Sequence, residues 1–151
     1  MPNSSTIVVD ANLAILHVIG GAQAERVDQL WISWVKQGKS ICAPQLWLNE
    51  VTSVMHKSYK LGLLDEKKAL SAMEAVLELG VEIHSQDIAL CRQAFQWASR
   101  LNQVKAYDAF YIALAQRLKA ECWTADERLA NRCQQIGASW VKWAGNLLET
   151  S

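Results

Sequence analysis

The chain has 151 residues, 51% hydrophobic side chains, and 15 basic against 15 acidic groups. That length suits one domain over residues 1–151, burying roughly two-thirds of its unfolded surface, so folding requires neither disulfide nor metal. Zero formal charge excludes a bulk attraction for nucleic acid, and any such partner has to be drawn by a local patch or through bound cations.

Residues 1–5, polar and without a basic-then-apolar leader pattern, are expected to form a flexible N-terminal segment. Ile7-Val8-Val9 is a short run apolar on both faces, as a central parallel strand requires. Asp10 follows and is placed to cap a helix running to about Val18, which Gly20-Gly21 ends. The next helix spans about Ala24 to Lys36, with Val27, Leu30, Trp31, Trp34 and Val35 on one stripe, and Gly38 stops it. Ser40 to Ala43 reads as a strand, and Pro44 opens the following segment. A helix from about Gln45 to Tyr59 turns Trp47, Val51, Val54 and Met55 inward, and Asp65 begins another that reaches about Leu79. Val81 to His84 is a third strand, after which Ser85 is expected to cap a helix ending near Leu101. Asp108 lies near the start of a helix ending about Ala120. Glu121 to Thr124 is a fourth strand, Asp126 begins a helix that Gly137 ends, and Ser139-Trp140-Val141 is a short closing strand. Five strands alternating with helices predict a three-layer α/β/α domain on a mainly parallel five-stranded sheet.

Three of the acidic residues have ordinary structural readings. Asp10 and Asp126 are both helix caps, the latter with Thr124 and Glu127 at capping-box spacing, and Asp108 suits a helix start through the helix dipole. Glu50 does not fit such a reading. It lies four residues after Leu46 and four before Val54, on the apolar stripe of its helix, with no basic residue within a turn. A carboxylate facing the packed side is costly unless it is paired or bound to a metal. In a parallel sheet the carboxyl ends of the strands and the starts of the helices share one edge, which brings Asp10, Asp108 and Asp126 together there. Carboxylates converging without basic side chains between them suit a hard divalent cation such as Mg²⁺ or Mn²⁺.

These segments resemble the motifs of the PIN-domain ribonucleases. Ile7-Val8-Val9-Asp10-Ala11-Asn12 is similar to the first motif, Leu48-Asn49-Glu50-Val51 to the second, and Trp123-Thr124-Ala125-Asp126-Glu127-Arg128-Leu129 to the fourth. Tyr107 to Ala115 resembles the third and is the most specific of the set. The resemblance covers nearly the whole chain. It implies a PIN-like fold and a site in which Asp10, Glu50, Asp108 and Asp126 hold one or two Mg²⁺ or Mn²⁺ ions, with Asn12 and Thr124 in supporting roles. It implies hydrolysis of an RNA phosphodiester by in-line attack, leaving a 5′-phosphate and a 3′-hydroxyl. Many family members of this size are toxins of the VapC type, paired with a short antitoxin, so an antitoxin partner and a homodimer are expected. Where some members carry a hydroxyl residue soon after the first aspartate, this chain has Asn12. Glu127 is the nearest further carboxylate after the fourth acid.

The alternative from another class is a catalytically silent PIN fold that only binds RNA or protein; retention of all four acids speaks against it. A haloacid-dehalogenase-like phosphatase would carry a second aspartate where Asn12 stands. A receiver domain would carry an aspartate directly after the Ile41 strand. The four cysteines are scattered, without a CxxC or Cys/His cluster, and read as reduced thiols of a cytoplasmic protein. No apolar run approaches the roughly 18 residues of a membrane helix. His17, His56 and His84 show no ligand spacing and read as structural. Of the seven tryptophans, Trp31, Trp34, Trp47, Trp97 and Trp123 read as core, and Trp140 and Trp143 as candidates for an interface. Lys57, Lys60, Lys67 and Lys68 form a basic stretch that reads as a solvated face able to meet phosphates.

Overall fold

A computed structural model describes residues 5–21 and 24–145; apart from Ser5, the expected flexible segment lies outside these. The five strands are β1 (Thr6–Val9), β2 (Ser40–Pro44), β3 (Glu82–His84), β4 (Glu121–Thr124) and β5 (Val141–Trp143). The helices are α1 (Ala11–Ile19), α2 (Ala24–Lys36), α3 (Leu46–Lys60), α4 (Glu66–Leu77), α5 (Ile88–Leu101), α6 (Tyr107–Leu118) and α7 (Glu127–Gln135). The sheet order is β3-β2-β1-β4-β5 and every pairing is parallel. Parallel strands must be covered on both faces, and Ile7, Val8 and Val9 of the central strand are almost completely buried.

Polar side chains start most of these helices. Asp10, Asp65, Asp87 and Asp126 each accept a hydrogen bond from the backbone amide three residues on, satisfying a donor that the first turn leaves free. Two expected boundaries are corrected. Asp87, not Ser85, caps α5, because the preceding loop is spent on a latch. The Gln86 backbone amide donates to Gln45 Oε1 at 2.9 Å, and the Leu46 amide donates to Gln86 Oε1 at 2.6 Å. The closing strand begins at Val141 rather than Ser139, because Trp140 packs against the core. Its ring stands edge-on to Trp97 at 5.4 Å and its indole N–H donates to the Ile112 carbonyl at 3.2 Å. Val35 is a third correction: it is 60% exposed, while Val27, Leu30, Trp31 and Trp34 of the same helix are buried.

The topology delivers the acids. Strands β2, β1 and β4 are neighbours, and the segments leaving their carboxyl ends carry Glu50, Asp10 and Asp126 respectively. Helix α6 runs back towards the start of β4, so its first turn, with Asp108, lies at the same edge.

Candidate active site

Asp10, Asn12, Glu50 and Asp108 line one narrow cleft, with Ala11, Val54 and Tyr111 as the rest of its wall. Its volume is about 50 Å³, room for a cation and a water rather than for a nucleotide. Asp126 is exposed and lies in an adjoining depression with Gln103, Arg128 and Arg132. On the other side, Glu50 is shared with a wider cleft of about 650 Å³ lined by Gln45, Asn49, Ser53, Gln86 and Tyr107.

Each acid at the site is held by a named donor. Asp10 caps α1 by accepting from the Leu13 amide at 2.8 Å, while its other oxygen accepts from the Thr124 hydroxyl at 2.5 Å. Thr124 is buried, and its oxygen also accepts from the Asp126 amide at 3.0 Å. The expected capping box is therefore not formed. Asp126 itself caps α7, and Thr124, two residues earlier, ties the ends of β1 and β4 together through the two aspartates. Glu50 Oε1 accepts from the Tyr111 hydroxyl at 2.5 Å. Asp108 Oδ2 accepts from the Gln103 side-chain amide at 3.1 Å. Tyr111 and Gln103 were not singled out by sequence reasoning. Tyr111 lies in the third motif, three residues after Asp108, which was the available signal; Gln103 sits in an irregular loop that carries none.

The electrostatics are those of a site short of positive charge. Burial pushes the Asp10 carboxyl up to about 6, against the pull of Thr124 and Leu13 and with further push from Asp108 and Glu50. Glu50 is raised by burial and by Asp108, with Tyr111 opposing. Asp108 is raised by burial and by Asp126, with Gln103 opposing. The thiols beneath respond in the same way: burial, then Asp108 and Asp126, lift Cys133 to about 12, and Cys122 is raised by burial and Asp10. Among the described residues the ion pairs are His17–Asp28, His84–Glu82 and Arg117–Asp87, and none involves the four acids. Asp10, Glu50 and Asp108 repel one another, Asp126 adds to the push on Asp108, and none of the four is held in an ion pair among the described residues, which fits the ligand preference of a hard divalent ion.

The family model of the PIN domain matches residues 7–134, which include all four acids. The chain belongs to the PIN domain family. A relative from Pyrobaculum aerophilum, Ribonuclease VapC3, is 28% identical over 128 residues, covering 83% of this chain and 93% of that protein. Among solved structures, the Mycobacterium tuberculosis toxin VapC20, described as cleaving the sarcin–ricin loop, aligns with a TM-score of 0.60 at 20% identity. That alignment covers 83% of this chain and 93% of the toxin. A toxin–antitoxin complex from Klebsiella pneumoniae aligns with a TM-score of 0.60 at 16% identity, covering 91% of this chain and 97% of that one. These structures share the PIN fold with this chain.

Proposed function

We propose that this PIN protein is a divalent-metal-dependent endoribonuclease acting as the toxin of a toxin–antitoxin pair. The observation that carries the reading is the acidic cleft itself, lined by Asp10, Glu50 and Asp108 with Asp126 in the adjoining depression, and among the described residues none of the four makes an ion pair with a basic side chain. The names of the relative and of the two solved toxins point the same way.

Asp10, Glu50, Asp108 and Asp126 would hold one or two Mg²⁺ or Mn²⁺ ions, which supply positive charge against the scissile phosphate and acidify water for its hydrolysis. The chain's own residues preorganise that arrangement. Thr124 fixes the rotamer of Asp10, Tyr111 that of Glu50 and Gln103 that of Asp108, in the manner of outer partners that orient metal-ligating groups. Asn12 faces the same cleft with an amide able to orient water or phosphate. The wider cleft beside Glu50 has room for a nucleotide, and Tyr107 on its wall offers a ring for stacking. Arg128 and Arg132, beside Asp126, place positive charge where the flanking backbone phosphates would run. An antitoxin segment bringing Arg or Lys into the carboxylates would inhibit by replacing the metal with a charge-assisted pair.

The test is cleavage of a single-stranded RNA by the purified protein. We expect cleavage in Mg²⁺ or Mn²⁺ leaving 5′-phosphate ends, and none in chelator. Cleavage undiminished by chelator, or products with cyclic or 3′-phosphate ends, would overturn the reading.

A further inference from the structure

Among the described residues, Cys42, Glu82 and His84 form a second cluster of potential ligands, whose sulfur, carboxylate oxygen and imidazole nitrogen all lie within 4.8 Å of one another. It is separate from the acidic cleft and involves none of its residues. The parallel register builds it. Cys42 pairs with Glu82 and Pro44 with His84, so Cys42, Glu82 and His84 all project from one face of the β2–β3 edge. Linear spacing conceals the set, since forty residues separate the cysteine from its partners and an alternating pair on a strand carries no zinc-finger signature.

The cluster is not explained as a simple ion pair on a surface strand. His84 Nε2 is shielded from solvent and makes no hydrogen bond, although Glu82 Oε1 is only 3.3 Å away. A structural pair would align that contact; here the ring nitrogen is close to the carboxylate and to the buried thiol without being satisfied by either. Cys42 Sγ has only a long contact of 3.9 Å to the Ser40 carbonyl.

We propose that Cys42, Glu82 and His84 bind a borderline-soft divalent cation, of which Zn²⁺ is the best match. A thiolate, an imidazole and a carboxylate are the three donor types that zinc accepts together, with a fourth position left to water. Zinc bonds of about 2.3 Å to sulfur and about 2.0 Å to nitrogen and oxygen set tetrahedral ligand atoms roughly 3.5 Å apart; Glu82 Oε1 and His84 Nε2 stand at 3.3 Å, and all three ligand atoms lie within 4.8 Å of one another. In the metal-free protein burial and Glu82 hold the Cys42 thiol at about 11, so the site keeps a proton that a cation displaces. Such an ion pins the three-residue edge strand β3 to β2. The Gln45 amide donates to the His84 carbonyl at 3.1 Å, so the same clasp steadies the start of α3, the helix that carries Glu50.

Co²⁺ is the probe, because a bound thiolate gives a sulfur-to-cobalt charge-transfer band that oxygen ligands alone do not give. The exposed Cys91 is first removed as Cys91→Ser. We expect one equivalent of Co²⁺ to produce the band and Zn²⁺ to abolish it. Cys42→Ser and His84→Ala should each lose it, and Asp108→Asn, in the acidic cleft, should keep it. If Cys42→Ser fails to fold, His84→Ala, on a partly exposed side chain, carries the test, with Zn²⁺ affinity falling more than roughly tenfold. Absence of a thiolate band in the parent, or its persistence in a folded Cys42→Ser or His84→Ala protein, would overturn the proposal whatever the outcome for RNA cleavage.

Discussion

Asn in place of Asp10 should make the metal-free protein more stable, although it removes a helix-capping carboxylate. Asp10 ionises at about 6 in the fold against 3.8 for the free side chain. At about 1.4 kcal/mol per pH unit, holding it charged above pH 7 costs about 3 kcal/mol relative to the unfolded chain. Asn still caps a helix well, and the grip of Leu13 and Thr124 on the charged carboxylate is already contained in the raised value, since both oppose the rise. A gain of up to about 3 kcal/mol corresponds to roughly 6–12 °C in melting temperature for a chain of this size. The direction with pH follows from the raised value. The protonated carboxyl favours folding fully below pH 3.8, and that contribution is lost as pH rises through about 6. In chelator, thermal melts of wild type and Asp10→Asn should therefore converge or cross near pH 4 and separate in favour of the variant by pH 8. A variant less stable than wild type at pH 8, or a difference that does not change with pH, would refute the reasoning and leave Asp10 as a simple cap.

Glu50→Gln and Asp108→Asn should each lower RNA cleavage by roughly a hundredfold or more, above the 10–100-fold typical when an outer partner is lost; wild-type turnover by either variant would remove it from the ligand set. Tyr111→Phe, which deletes the hydroxyl holding Glu50, should fall within that 10–100-fold range and need more Mn²⁺ for half-maximal activity, as an unchanged metal dependence would not allow. Arg128→Ala and Arg132→Ala should weaken binding to RNA of any sequence and flatten the dependence of log affinity on log salt by about one unit or less each, as measured by fluorescence anisotropy. Expression in the native host should arrest growth, and co-expression of a cognate antitoxin should relieve it; harmless expression would remove the toxin role and leave the nuclease untouched.

The fold was legible wherever one periodicity dominated. The β-branched run at 7–9, the apolar stripe of α2 as far as Trp34 and the aspartates at 10, 65 and 126 that begin helices all stand in the structure where their patterns put them, while Val35 at the end of that stripe is exposed. Boundaries failed where tertiary contacts decided: the Gln45–Gln86 latch moved the start of α5 to Asp87, and the packing of Trp140 moved β5. Of the site, Glu50 was legible because a carboxylate on an apolar stripe demands a partner. That partner, the Tyr111 hydroxyl, is 61 residues away, a separation that no local pattern reveals. The local pattern around Thr124 shows only a cap, and its supporting role came from the family resemblance, because its link to Asp10 spans two strands that only the sheet order makes neighbours. The basic side chains flanking the acids, Arg128 and Arg132, were overlooked in favour of the lysine run at 57–68. On a helix of mixed charge, nothing but the fold brings them beside Asp126.

The central claim is that the four carboxylates form one cation site, and calorimetric or paramagnetic titration of Mn²⁺ tests it most directly. Wild type should bind one or two ions and melt at a higher temperature in millimolar Mn²⁺, by mass action on the folded state. Asp108→Asn should bind more weakly and gain less. A wild type that binds neither Mn²⁺ nor Mg²⁺ and melts at the same temperature with metal and with chelator would contradict the claim.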